Sequence, residues 1–387
     1  MVEGIGFDFP PIPIHAYAPI RLSMNKQDLI KIISTTDPAD LEIIRQSAEE
    51  TLLRHCGSTV YFRGLIEFSN VCVNDCLYCG IRAGNVNLHP YSLSLEEIVA
   101  AAKWCAVQRY GSLVLQSGER RDLAFVDFVE AAVKAIKAAT VSDALPRGLG
   151  ITLCVGEQDE ETYYRFFNAG AHRYLLRMES TNPRLFARIH PSAQQFDDRL
   201  EALRRLKRVG FQVGTGIMIG LPSQTVGDLA DDLLFFRDMD IDMIGMGPYI
   251  VHNDTPMAAW PDVNDRTPQE RFALALRMIA AARLLLQDVN IASTTALQAL
   301  DPDGREQGLR WGANIIMPQL TPAKVRRDYQ LYEGKPCLDE SPDLCRSCLE
   351  LRIKSVNREI GYDRWGDSRH FGKKKALEGW SVGVLER

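Results

Sequence analysis

Ser69-Asn70-Val71-Cys72-Val73-Asn74-Asp75-Cys76-Leu77-Tyr78-Cys79-Gly80 is the stretch from which the rest of the chain reads. It follows an apolar run, Val60 to Phe68, with the β-branched and aromatic content of a strand. Its three cysteines stand at C-x3-C-x2-C spacing on the loop after that strand. Three thiolates on one tight loop suit three irons of a 4Fe–4S cube, because cysteine thiolate is the usual ligand of such clusters. The fourth iron then has no protein ligand, and in catalytic metal sites an open position is where a substrate coordinates. Two other readings compete: three unrelated buried thiols, or a structural zinc site. The latter needs four ligands, and its nearest extra candidate, His89, lies well downstream.

Outward from this stretch a repeated alternation begins. Apolar, β-rich runs fall at 61–68, 112–116, 149–154, 172–177, 211–218, 241–246, 291–295 and 313–317. Helical segments lie between them near 94–109, 122–139, 158–169, 196–209, 225–239, 267–287 and 304–311. Strands alternating with helices predict an α/β fold with a parallel sheet and right-handed crossovers, and eight strands predict a closed (β/α)8 TIM-type barrel. The expected organisation is an N-terminal extension over 1–58, the barrel over 59–322 and a C-terminal segment over 323–387. In the extension, Asn25 or Thr36 caps a short helix, and a second helix runs from Pro38 to His55. Thr140 to Gly148 reads as an inserted surface loop, and the basic Arg369 to Lys375 as a solvated terminus.

Composition narrows the function classes. The net charge of −5 over 387 residues gives no nucleic-acid footprint. No apolar run reaches the ~18 residues of a membrane span, and no secretory apolar segment opens the chain. Nine cysteines, six of them in two tight triplets, suit metal binding in a reducing compartment, so a cytoplasmic location is expected.

In a barrel of this type, chemistry sits on the loops after the strands. The polar residues fall there: Gln116-Ser117-Gly118-Glu119 after strand two, Cys154-Val155-Gly156-Glu157 after strand three, and Arg177-Met178-Glu179-Ser180 after strand four. His252 to Pro256 follows strand six, Thr294-Thr295 ends strand seven and Met317-Pro318 ends strand eight. The second triplet, Cys337, Cys345 and Cys348, has C-x7-C-x2-C spacing. It fits a second iron–sulfur cluster (2Fe–2S or 4Fe–4S) on the barrel's top rim, or zinc with water as fourth ligand.

Cys72, Cys76 and Cys79, with the aromatic Tyr78 before the third, resemble the signature of the radical SAM superfamily. There the open iron binds the amino and carboxylate groups of S-adenosylmethionine (SAM), and reduction releases a deoxyadenosyl radical. The segments Glu67–Cys72, Tyr78–Arg82, Leu115–Glu119, Arg173–Arg177 and Gly220–Thr225 resemble the biotin-synthase-like branch. With Asp242–Pro248, Ala292–Ala296, Gly312–Pro318 and Tyr329–Tyr332 the chain from about residue 25 to 370 resembles the FeFe-hydrogenase maturase HydE family. It departs from that pattern at Arg120-Arg121, where an acidic residue usually follows Glu119, and at Met178, where histidine is common.

The resemblance implies a set of roles. Gln116, Ser117, Gly118 and Glu119 lie near the methionyl ammonium, Glu179 serves the ammonium or the ribose hydroxyls, and Arg199 clamps the carboxylate. The strand end at Met218, running into Gly220-Leu221-Pro222, lies under the adenine. The implied substrate is a small iron–cysteine complex carrying carbonyl and cyanide, delivered by the maturase HydG, with the product passing to the scaffold HydF. A ferredoxin or flavodoxin supplies the electron. An anionic complex needs cations and hydroxyls. Arg173 and Arg177 offer the charge, Thr294, Thr295, Tyr329 and Tyr332 the hydroxyls, and Met243 a soft apolar wall. The alternatives are a methylornithine synthase or a biotin synthase of the same branch and, from another class, a non-catalytic iron–sulfur carrier.

Overall fold

The structure, a computed structural model, describes residues 24–339 and 341–377, without the side chains of residues 344 and 345. In chain order its strands are β1 (Thr59–Ser69), β2 (Ser112–Ser117), β3 (Gly150–Cys154), β4 (Arg173–Leu175), β5 (Gln212–Thr215), β6 (Met218–Ile219), β7 (Met243–Ile244), β8 (Gly247–Pro248), β9 (Asn290–Ile291), β10 (Ile315–Ile316) and β11 (Glu359–Ile360). Parallel pairing runs β10-β1-β2-β3-β4-β5-β7-β9. A parallel bridge between Ala292 and Ile315, with Ser293 N donating to Ile315 O at 2.9 Å, joins β9 to β10 and shuts the ring. The eight-stranded α/β barrel expected from the alternation is therefore present. The run at 211–218 divides into β5 and β6 because the chains touch at Gly216, where a Cβ would stand 1.9 Å from Gly245 O.

Local chemistry sets the helices that cover the barrel. Ser94, Thr225 and Thr267 each form a reciprocal cap with an acid three residues on, opening helices Leu95–Val107, Val226–Asp238 and Pro268–Leu286. Gly170 and Gly210, both left-handed, end Glu160–Ala169 and Phe196–Val209. In the N-terminal extension Asn25 caps Lys26–Ser34, but the cap of Pro38–His55 is Asp37, whose carboxylate accepts from Ala39 N and Asp40 N, and not Thr36.

The C-terminal segment departs most from expectation. Helix Pro342–Ser355 takes the outer-layer place beside β1, with Arg346 donating to Gln108 and Arg352 to Glu306 at 3.0 Å. Its Leu349 and Ile353 join the main core. β11 then pairs with the start of β1, and residues 363–368 cross the bottom of the barrel as a strap. Gly366 O accepts from Arg63 (3.1 Å) and Asn290 (2.9 Å), and Asp367 Oδ1 accepts from Arg173 (2.7 Å) and Gln212 (3.0 Å). The basic stretch read as a solvated terminus is helix Arg369–Leu377. It docks Lys374 on Asp240 and Asp242, and His370 between Asp240 and Asp288. A cavity of about 600 Å³ lies at this lower end, between the strap and the Ala144–Arg147 turn. No helix among the described residues is long and apolar enough to cross a membrane.

Candidate active site

The cysteine loop caps the opposite end, above β1. Val73 N donates to Glu119 O and Leu77 N to Ile189 O, both at 2.9 Å, so the loop is tied to the turn after β2 and to the end of helix Pro183–Ile189. Cys72 Sγ accepts from the backbone amides of Asn74 and Glu119 at 3.4 Å, and Cys76 Sγ donates to Gln194 Oε1 at 3.4 Å. Gly118 explains the close approach: a Cβ there would lie 2.4 Å from Val71 O and 2.7 Å from Cys72 Cβ. Burial pushes all three thiols up, Cys76 to about 12, and the neighbouring Cys76 and Cys72 raise Cys79 further by charge. Three half-buried thiols and two amides aimed at one sulfur form a donor set that suits a cluster, whose iron replaces the protons. Among the described residues no three His, Cys, Asp or Glu side chains converge on a single-ion position. A cube spaces its ligand sulfurs more widely than one ion does.

Tyr78 turns under the loop, its hydroxyl 3.2 Å from His190 Nε2. His190 Nδ1 donates to Phe186 O at 2.9 Å, and burial together with Arg199 lowers the imidazole to about 3, so Nε2 of the neutral His190 accepts a hydrogen bond from the Tyr78 hydroxyl. Tyr78 and Met218 pack on a small apolar cluster of Leu185, Ile189, Leu221, Tyr249, Met257 and Val263, separate from the main core. The strand end expected under the adenine is part of this wall.

Beside the loop, a chain of charges crosses the barrel mouth. Glu119 Oε1 accepts from Arg121 Nη2 (2.6 Å) and its Oε2 from Glu157 N (3.0 Å). Glu157 accepts from Arg121 Nη2 (3.0 Å) and from Arg199 Nε, and Arg199 Nη1 donates to Arg177 O. Arg177 closes the series with a two-pronged contact to Glu179, 2.8 Å on each arm. Burial works against the Arg199 charge, and Glu157 and Glu119 more than offset it, so its guanidinium is held above its ordinary value. Glu179 has φ +64°, a left-handed conformation unusual for a side-chain-bearing residue, and its N and O bond to Gly216 O and from Met218 N. Glu157 and Gln194 belong to this site and were not singled out in the sequence. The only signal for Glu157 was its place after strand three, and Gln194 gave none.

The residues expected around a substrate divide by height. Gln116 donates to Tyr329 OH at 3.3 Å, and Tyr332 OH to Thr295 Oγ1 at 3.1 Å, near the mouth. Thr294 Oγ1 is buried without a hydrogen-bond partner. Arg173, by contrast, is fully buried at the bottom, bound by Asp367 and by Trp365 O (2.8 Å); this corrects its placement beside Arg177. Met243 also sits low, 3.1 Å from Arg63 Nη1, on a small interior cavity it shares with Val114, Thr152 and Leu175. Arg177 lies at the right level, but its charge is already matched by Glu179. In the second triplet, Cys337 is half-buried with φ +64° and Cys348 is exposed on helix Pro342–Ser355, while the Cys345 side chain lies outside the described residues.

The sequence of residues 66–236 matches the model of the Radical SAM superfamily. The [FeFe] hydrogenase maturase subunit HydE of Thermotoga maritima is 41% identical over 92% of this chain and 96% of its own. The 3-methylornithine synthase of Methanosarcina barkeri is 26% identical over 87% of this chain and 88% of its own. The crystal structure of HydG, a maturase of the [FeFe]-hydrogenase, superposes with a TM-score of 0.75 at 16% identity, over 93% of this chain and 78% of that one, which bears on the fold alone. With three cysteines over the barrel mouth, an ordered charge chain beside them and this degree of identity, the chain is a radical SAM enzyme and belongs to the HydE family.

Proposed function

We propose that this enzyme cleaves SAM at a 4Fe–4S cluster held by Cys72, Cys76 and Cys79 and directs the resulting radical at a small iron–cysteine carbonyl/cyanide complex during maturation of an FeFe-hydrogenase. The observation that carries the reading is the charge chain of Glu119, Glu157, Arg199, Arg177 and Glu179 packed against the cysteine loop. When bound, cluster and SAM supply a one-electron reductive cleavage that yields a deoxyadenosyl radical. The protein's own contribution is placement. The carboxylates suit the methionyl ammonium and the ribose hydroxyls, and Arg199 suits the carboxylate. Tyr78 and Met218 offer the apolar face for adenine. Thr294, Tyr329 and the Thr295–Tyr332 pair lie where hydroxyls would meet an anionic substrate. Cys337, Cys345 and Cys348 are assigned to a second iron–sulfur cluster, with HydG and HydF as partners, a ferredoxin or flavodoxin as reductant and the cytoplasm as location.

The test is anaerobic reconstitution, reduction with dithionite and assay of deoxyadenosine against a Cys76→Ala control. Wild-type protein alone is expected to produce deoxyadenosine, and the cysteine-ligated iron carbonyl cyanide complex is expected to raise the yield. A cube visible by electron paramagnetic resonance with no deoxyadenosine would favour the carrier reading.

A further inference from the structure

Glu119 and Glu157 are almost wholly buried, with side-chain exposures of 6% and 8%, yet the guanidinium that bridges them belongs to a residue 55% exposed. Arg121 reaches in from the rim and covers the two carboxylates on their solvent side, Nη2 touching both. The charge inventory of the mouth explains why it is held there. Three carboxylates (Glu119, Glu157 and Glu179) face two buried cations, Arg177 and Arg199. His190 is neutral, and Arg120 is committed to Asp122 by a two-pronged contact at 2.9 Å. Without Arg121 the group carries one surplus negative charge, and Arg121 cancels it.

SAM carries an ammonium, a sulfonium and a carboxylate, and so brings one net positive charge. We propose that Arg121 is a counter-cation holding the place of that charge, a specificity-determining residue that offsets the negative charge the sulfonium would otherwise meet and so sets how strongly the site prefers SAM over its neutral, demethylated analogue, S-adenosylhomocysteine. The inference rests on the reading of this mouth as the SAM site. An exposed arm can leave at little cost, because a half-exposed ion pair is weak, whereas the buried Arg199 cannot. When Arg121 swings out, Glu119 becomes free for the ammonium that both ligands carry, and the site regains the negative charge that favours the sulfonium of SAM alone.

The experiment is equilibrium dialysis on the reconstituted, unreduced protein, so that no turnover intervenes, with SAM and S-adenosylhomocysteine as separate probes at low and high salt. Arg121→Gln and Arg121→Ala are expected to raise the SAM-to-S-adenosylhomocysteine affinity ratio about threefold at low salt, the size of a partly exposed ion pair. The gain should shrink at high salt, and Arg121→Lys should keep the wild-type ratio. An unchanged ratio, with both ligands weakened or tightened in parallel, would overturn the proposal, since Arg121 would then brace the site or block the shared ammonium without acting on the sulfonium charge. Wild-type protein that binds neither probe would bring down the SAM-site reading itself, a result distinguishable from the first.

Discussion

Gly118 shows how tightly single residues are specified at the mouth. The missing side chain lets the turn after β2 lie against Val71 and Cys72, so Gly118→Ala forces the cysteine loop outward. Overpacking of this kind costs about 1–3 kcal/mol. The variant should reconstitute with clearly less iron per chain than wild type while keeping its circular dichroism, and full iron content would refute this account. Asp232 is a second case. Its carboxylate, on helix Val226–Asp238, receives Thr181 N at 2.7 Å and Thr181 Oγ1 at 2.5 Å, and so anchors the turn that carries Glu179. Burial pushes it up to about 7 despite those bonds. The folded protein therefore keeps a proton that the unfolded chain releases near its ordinary value of about 4. The stabilisation is complete below that value and is lost as pH rises towards 7. Asp232→Asn should flatten this part of the thermal-stability profile, by about 4 kcal/mol over the interval; an unaltered slope would remove Asp232 as its source. Arg173 teaches the limit of reading residues one at a time. Positions 173, 175 and 177 share a face of strand four because side chains alternate with period two. That period gives the face and says nothing of the height. Arg173 opens β4 at the bottom and Arg177 lies past its end, so one guanidinium seals the floor while the other works at the mouth.

Elements whose signals are local were legible in the sequence: the Asn25 cap, the helix Pro38–His55 and the apolar runs of the barrel. The strap over the barrel floor was not, because residues 363–368 make no periodic pattern and act through polar groups on distant strands. Its central contact is testable. Asp367→Asn leaves Arg173 buried without a counter-charge, a loss of about 3–5 kcal/mol in comparable pairs. The urea midpoint should fall sharply, while deoxyadenosine formation per folded molecule stays near wild type because the mouth is untouched. Helix Arg369–Leu377 adds a pH response of its own. Burial opposes the charge on His370, but Asp240 and Asp288 outweigh it and raise its pKa. That contribution is full below the ordinary histidine value and fades as pH climbs through the raised one. His370→Asn should remove this loss above the ordinary histidine value, and Asp232→Asn should leave it in place.

For the molecule as a whole, the sequence supplied the number and direction of the strands, and with them the end at which chemistry collects. It did not supply depth, nor the contacts that join residues hundreds of positions apart, such as Lys335 on Glu67 at 2.5 Å or Asn70 on Asp328 O at 2.8 Å. Such pairs depend on where the closed ring brings its ends together. The pairing of β1 with β10 and β11 has a consequence for synthesis. The longest apolar strand leaves the ribosome early, and its partner Ile315 follows some 256 positions after Thr59. At translation speeds of about 5–20 residues per second, one edge of β1 stays open for roughly 13–50 s. For that interval the nascent chain exposes an unpaired strand edge, the kind of surface that recruits chaperones or aggregates. Of the described strands, the first to be made is among the last to be completed.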